Sequence, residues 1–281
     1  MQLADAAMRC SLAASLAYLT PAQRAATRRE WRHTGPFVRT DPGQEYASRL
    51  ARDFTFAEEV REPSLEASAT IFESTVRGEE ELMVAFRGST AIRNFRSMFA
   101  VGFTPLNGDP SCKVHTGYHE ASLKLYEQLL PAIERRAVER ITFTGHSYGG
   151  GTATLCALMH SPDQLVTFSA PQIGDDAFAT KFDATPMGER TFHLVHDADP
   201  VLQQNRPLWD ALGYAHTGRV VRCSSSKAVL FEERASGSEE SGSGVAWNLV
   251  DHCRYLGTYM GPRIGKIRWT KYLKPNYSPR G

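Results

Sequence analysis

The 281-residue chain has no apolar run near the ~20 residues that a membrane-spanning helix needs, so no transmembrane segment is expected. It also has almost no net charge: 32 Lys and Arg stand against 31 Asp and Glu, leaving +1. That balance gives no overall electrostatic reason to expect nucleic acid as a partner. There is no Cys-x-x-Cys pair, and the five cysteines, Cys10, Cys112, Cys156, Cys223 and Cys253, are odd in number and without clustered histidines. Mostly reduced thiols are expected, with no metal site and no organic cofactor. The opening lacks the positive start of a secretory signal, because Asp5 precedes the first basic residue, Arg9. A cytoplasmic chain is the expectation, a secreted one with a removed leader the alternative.

What is present is ordinary for a globular protein: 42% hydrophobic residues in a length that one α/β domain accommodates. A single domain over residues 1–281 is expected. The stretch that organises it is Ile141-Thr142-Phe143-Thr144-Gly145-His146-Ser147-Tyr148-Gly149-Gly150-Gly151-Thr152-Ala153. Residues 141–144 read as a short buried strand and 152–160 as a helix packed through Leu155, Leu158 and Met159. Between them, Gly145-x-Ser147-x-Gly149 suits a sharp turn that holds a serine hydroxyl clear of the backbone. Such a motif alone is a weak signal. The strand before it and the helix after it give it weight.

Elsewhere, residues 1–65 read as helices broken at Pro21, Gly35-Pro36 and Pro63, with Ala6, Ala7, Leu12, Ala13, Leu16 and Leu19 forming one apolar face. Residues 67–76 and 81–86 read as a hairpin whose second strand delivers Gly88, Ser89 and Thr90 to a loop at the sheet's C-terminal edge. In residues 90–99, Ile92, Phe95, Met98 and Phe99 fall on one helical face, which suits either a movable lid or a fixed surface helix. Residues 100–114 read as a Gly/Pro-rich loop and 117–136 as a helix; short strands follow at 165–169 and 190–196. The resulting strand-helix-strand order predicts a predominantly parallel sheet. Residues 223–244 carry a Ser/Gly/Glu run that reads as a mobile surface insertion, and 261–281 form a basic, aromatic tail.

A serine nucleophile needs a base, and the base needs a partner that fixes its tautomer. After Ser147 the acids at strand ends are Asp175, Asp176, Asp197 and Asp199, and the histidines are His160, His193, His196, His216 and His252. Spacing alone leaves these open.

Several separated motifs narrow the choice. Val84-Ala85-Phe86-Arg87-Gly88-Ser89, Val114-His115-Thr116-Gly117-Tyr118, Thr144-Gly145-His146-Ser147-Tyr148-Gly149-Gly150 and Val166-Thr167-Phe168-Ser169-Ala170-Pro171-Gln172-Ile173-Gly174-Asp175 occur in order. His196-Asp197-Ala198-Asp199-Pro200-Val201 and Val250-Asp251-His252-Cys253-Arg254-Tyr255-Leu256-Gly257 follow. Over residues 67–260 this series resembles the class 3 lipase family of α/β-hydrolases. The resemblance implies Ser147, Asp199 and His252 as catalytic residues and the backbone N–H groups of Ser89 and Tyr148 as an oxyanion hole, with the Ser89 hydroxyl an extra donor. Of the other histidines, His146 reads as an elbow residue holding its own turn and His216 as a loop hydrogen-bonder. The resemblance implies hydrolysis of lipid esters, acylglycerols above all, at a membrane or lipid-droplet interface. A phospholipase and a feruloyl-type esterase are the rival enzymes. A non-catalytic lipase-like regulator is the rival of another class, and all three triad members are retained here. Tyr148 in place of the usual leucine, and Gln203-Gln204-Asn205 after the acid, bear on substrate preference.

Overall fold

Alternation along one strand accounts for the layered core. In a computed structural model, which describes residues 3–19, 54–76, 78–89, 102–196, 199, 202, 209–223, 231–233, 252–256 and 258–261, Leu82, Val84 and Phe86 point into one apolar cluster. Met83 and Ala85, between them, point into a second cluster on the opposite face of the sheet. A run apolar at every position is what a strand covered on both faces requires.

The elements follow in chain order. Helix α1 (Leu3–Leu16) precedes β1 (Thr55–Glu62), β2 (Ala67–Val76) and β3 (Glu79–Phe86). Then come β4 (Phe103–Leu106), β5 (Asp109–His115), α2 (Thr116–Glu134), β6 (Arg140–His146) and α3 (Tyr148–His160). Next are β7 (Gln164–Phe168), β8 (Gly174–Asp175), α4 (Asp176–Asp183), α5 (Pro186–Arg190) and β9 (Thr191–His196). The last are β10 (Tyr214–Ala215), β11 (Arg219–Cys223), β12 (Phe231–Glu233), β13 (Arg254–Tyr255) and β14 (Thr258–Tyr259).

The main sheet has eight strands in the order β1-β2-β3-β6-β7-β9-β11-β12. The pairs from β3 through β11 are parallel, and the antiparallel pairs lie at the two edges. Helices α2 and α3 cover one face through Tyr118, Leu125, Leu129 and Leu155, and α1 covers the other through Leu12, Ala13 and Leu16. A second sheet, β10-β8-β5-β4, lies beside the first. The expected parallel α/β architecture is therefore present.

Four local expectations change. Residues 55–62 form an edge strand paired with β2 and not a helix: the helix-favouring Ala57-Glu58-Glu59 is overridden by the hydrogen-bonding edge that β2 offers, with a bulge between Phe56 and Glu58. Residues 103–115 are a hairpin and not a loop. Asn107 and Gly108 turn it at φ 50° and 83°, and Asn-Gly is the dipeptide that two-residue hairpin turns favour. Phe231–Glu233, inside the expected insertion, adds the last strand to the main sheet by pairing with β11. Helix α1 is buried almost all round, including Arg9 and Ser11, since the sheet packs on one side and β14 approaches the other. Residues 90–99 and 262–281 lie outside the described residues.

Arg9 explains how a charged residue is accommodated in that helix. Its Nη2 donates to Glu81 Oε2 at 3.0 Å and to Ser74 Oγ at 2.7 Å, and Thr142 Oγ1 donates to Glu81 Oε1 at 2.6 Å. Both side chains of the ion pair are nearly water-free, and without Arg9 the Glu81 carboxylate keeps the longer 3.9 Å contact to Arg140, so removing Arg9 leaves a poorly compensated buried charge. Arg9→Met should lower unfolding free energy in urea by about 3 kcal/mol, and adding Glu81→Gln should restore a good part of that loss. A double variant no more stable than Arg9→Met would show that the cost is packing and not charge.

Candidate active site

The turn after β6 forces Ser147 into a conformation that few serines adopt, φ 54° and ψ −124°. Helix α3 starts at the next residue, and its Gly150 and Gly151 N–H groups donate back to the Ser147 carbonyl at 2.8 and 3.3 Å. The Ser147 N–H donates to Phe168 O of β7 at 2.9 Å. Two glycines allow this closeness: a Cβ at Gly145 would overlap the Gly149 carbonyl, and one at Gly149 would overlap the Phe86 carbonyl. The second contact also brings the end of β3 against the turn. Gly88, in the loop that follows, leaves no room for a side chain beside the His146 carbonyl and the Tyr18 hydroxyl. Ser89 follows it immediately and Tyr148 follows Ser147, so both residues expected to supply oxyanion donors border one turn.

The structure brings Ser147, His252 and Asp199 together although 105 residues separate the first two. Ser147 Oγ lies 3.0 Å from His252 Nε2, and His252 Nδ1 lies 2.9 and 3.1 Å from the two oxygens of Asp199. With Nδ1–H donating to the carboxylate, a neutral imidazole presents Nε2 as acceptor for the Ser147 hydroxyl. All three residues are buried, Asp199 completely. Asp199 also accepts from the Leu202 N–H at 3.3 Å and from Ser169 Oγ at 2.6 Å.

Several of the other candidates are engaged elsewhere. Asp175 caps α4, accepting from the Phe178 N–H at 2.8 Å. His160 stacks on Phe143, His196 Nδ1 is bonded to the Cys223 carbonyl, and His193 bridges Thr167 and Thr217 with His216 beside it. Asp197 lies outside the described residues. Tyr148 turns its ring away into the core, its hydroxyl donating to Leu65 O at 3.3 Å. Among the described residues no group of three His, Cys, Asp or Glu is arranged to hold a metal ion.

Sequence reasoning passed over the support of the base. His146 does more than hold its turn: its Nε2–H donates to the His252 carbonyl at 2.7 Å, and its Nδ1 accepts from the Tyr18 hydroxyl at 2.8 Å. Ser169 and Tyr255 were missed as well, and their hydroxyls lie 2.6 Å apart beside Asp199. The available signal was register. His146 pairs with Phe168, so the residues after β6 and β7 emerge side by side at one sheet edge.

The chain resembles known proteins in the same region. Residues 83–205 match the family model for lipase (class 3). Secreted mono- and diacylglycerol lipase 1 of Fusarium solani is 31% identical over 152 residues, 51% of this chain and 44% of the relative. A lipase of Rhizomucor miehei is 29% identical over 207 residues, 66% of this chain and 55% of the relative. The chain thus spans about half the length of these curated relatives. The crystal structure of a lipase from Rhizopus microsporus var. chinensis superposes with TM-score 0.71 at 19% identity, covering 93% of this chain and 90% of the other. The fold is that of an α/β-hydrolase.

Burial carries a pH consequence. It pushes His146 down to about 3, with the neighbouring His252 adding to the effect, and it pushes His193 down to about 3 as well. Unfolded histidines take up protons below pH ~6.5, whereas these two refuse them when folded, so their contribution to stability is full above that pH and falls as pH drops. Each contributes a slope of up to about 1.4 kcal/mol per pH unit. Urea midpoints should hold steady above pH 7 and decline from 6.5 towards 5, above the carboxylate range. His193→Gln should make that decline shallower, and an unchanged slope would remove His193 as a source.

Proposed function

The chain, through residues 83–205, belongs to the class 3 lipase family, and from that premise we propose that it is a serine carboxylic ester hydrolase acting on lipid esters, acylglycerols in particular. The observation that carries the reading is the unbroken series of contacts Ser147 Oγ, His252, Asp199 at 3.0 and 2.9 Å in a buried setting.

The chemistry follows from the atoms. His252 Nε2 takes the Ser147 proton as Oγ attacks the ester carbonyl carbon, giving a tetrahedral species whose oxygen carries the negative charge. Asp199 keeps the proton on Nδ1 and stabilises the imidazolium that forms. The backbone N–H groups of Ser89 and Tyr148, with the Ser89 hydroxyl, are assigned to that oxyanion. Fixed donors in a site closed to water lower the barrier because they need no reorganisation as charge develops. The intermediate collapses, the alcohol leaves with the proton from Nε2, and an acyl-Ser147 ester remains. Water, deprotonated by His252, attacks this ester, and the carboxylic acid departs as Ser147 regains its proton. No metal or organic cofactor enters these steps.

Substrate class rests on the relatives' activities and on the sequence of residues 90–99. An apolar face made by Ile92, Phe95, Met98 and Phe99 suits a lid that hides against the pocket in water and moves onto a lipid surface. Exposing a few such side chains costs several kcal/mol at ~25 cal/mol per Å², which a lipid surface offsets and a dissolved ester does not.

Three outcomes are expected. Ser147→Ala should lower kcat towards p-nitrophenyl esters by as much as ~10⁶-fold and abolish fluorophosphonate labelling. Asp199→Asn should cost far more than Asp197→Asn, since only Asp199 fixes the His252 tautomer; the reverse ranking would move the acid to Asp197. On a long-chain triglyceride the rate should climb steeply above the solubility limit, and Phe95→Ser should blunt that climb while sparing short-chain esters. Smooth saturation in both proteins would make the enzyme a lidless esterase.

A further inference from the structure

Behind the Asp199 carboxylate lies a chain of hydrogen bonds with one consistent direction. The His196 backbone N–H donates to the Tyr255 hydroxyl at 3.1 Å. The Tyr255 O–H then donates to Ser169 Oγ at 2.6 Å, and the Ser169 O–H to Asp199 Oδ2 at 2.6 Å. Ser169 Oγ is also 3.1 Å from the His252 carbonyl, but that oxygen already accepts from His146 Nε2 at 2.7 Å. A short bond to an ionised carboxylate is the stronger use of the single serine proton.

The backbone at Ser169 makes this possible. Its φ is 48°, a left-handed conformation that costs a residue with a Cβ and comes readily to glycine. Helix α3 presses on the next residue, since a Cβ at Gly150 would overlap Ala170 Cβ. Ser169 is fully buried, and its N–H donates to Leu194 O at 2.9 Å. A glycine would satisfy the turn without strain, so the hydroxyl is the feature of the position that the backbone does not demand.

We propose that Ser169 is a positioning residue for the acid: its hydroxyl, polarised by Tyr255, holds Asp199 towards His252 and withdraws part of the carboxylate's charge. The carboxylate is thereby shared between the Ser169 hydroxyl and the His252 Nδ1–H. This role rests on the catalytic reading of the same site. The titratable groups around the pair from the described elements are His146 of β6, Tyr18 after α1, His196 of β9, Cys223 of β11, and Tyr255 and Cys253 of the C-terminal segment. His146 is held neutral by burial, and the Tyr255 phenol is kept protonated by burial and by Asp199.

The test compares the full chain with Ser169→Gly, Ser169→Ala and Tyr255→Phe. Ser169→Gly relieves the left-handed backbone at the cost of the Tyr255 and Asp199 hydrogen bonds, so its melting temperature, measured beside that of Ser169→Ala, separates folding from function. In both Ser169 variants the acid limb of log kcat/KM on a p-nitrophenyl ester should move up by about half to one pH unit, with KM little changed. The downfield proton resonance of the His252 Nδ1–H···Asp199 bond, assigned with His252→Asn, should move further downfield as the carboxylate loses a competing donor. Tyr255→Phe should produce the same two changes to a smaller extent. An unmoved or lowered acid limb, or an unmoved resonance, in Ser169→Gly and Ser169→Ala overturns the proposal. If the unaltered protein hydrolyses no ester, the catalytic reading fails by itself, and the resonance alone decides the role of Ser169.

Discussion

The backbone at Ser147 sits where a side-chain-bearing residue costs free energy, and much of the surrounding fold serves to hold it there. A conformation of this kind costs of order 1–3 kcal/mol and persists only when its neighbours over-determine it. Here the neighbours are the Phe168 carbonyl that receives its N–H, the first turn of α3 that closes on its carbonyl, and the glycines that let β6, α3 and the end of β3 meet. Because the strain is met by sheet register and helix packing, the hydroxyl is presented before any ligand arrives. Loosening any of these contacts would let the turn relax.

The same edge collects the rest of the site. Parallel strands β3, β6, β7 and β9 end together, so the residues just past each, Ser89, Ser147, Ser169 and Asp199, gather within one region without long loops. His252 arrives from far along the chain, and it is held by both its ring and its backbone. Its ring lies between Ser147 and Asp199, and its carbonyl takes the His146 proton. His146 in turn is fixed by Tyr18, which ties α1 to the base. The buried Arg9–Glu81 pair anchors that helix to β3, so an ion pair remote from the chemistry stabilises the platform under it.

Burial then sets the electrostatics. In a water-poor site an unpaired polar group is costly and a satisfied one is strongly directional. His146 and His193 are kept neutral by that environment, and the Tyr255 phenol stays protonated and able to donate. Among the described residues, the only carboxylate in the fully buried part of the site is Asp199, and it receives donors from His252, Ser169 and the Leu202 backbone.

How much of this was legible in the residues differs by feature. The elbow at Ser147, the buried strand at 81–86 and the predominantly parallel sheet could be read directly, because a short apolar run, Gly-x-Ser-x-Gly spacing and strand-helix-strand order are all written along the chain. Spacing left four acids and five histidines open after the serine, and the motif series around 196–201 and 250–257 narrowed them to Asp199 and His252. The Asn107-Gly108 hairpin was also written locally but hidden by the proline and glycines around it. Residues 55–62 have a helical composition, and only an available edge on β2 makes them a strand. Ser169 and Tyr255 carry no local mark at all. They are separated by 86 positions, and their partnership with Asp199 exists only once β6, β7 and β9 align in register and the C-terminal segment packs across their ends. Local patterns thus determined the nucleophile's turn and the layers, while tertiary packing decided which hydroxyls surround the acid, because hydrogen bonds between distant segments depend on three-dimensional position and not on spacing.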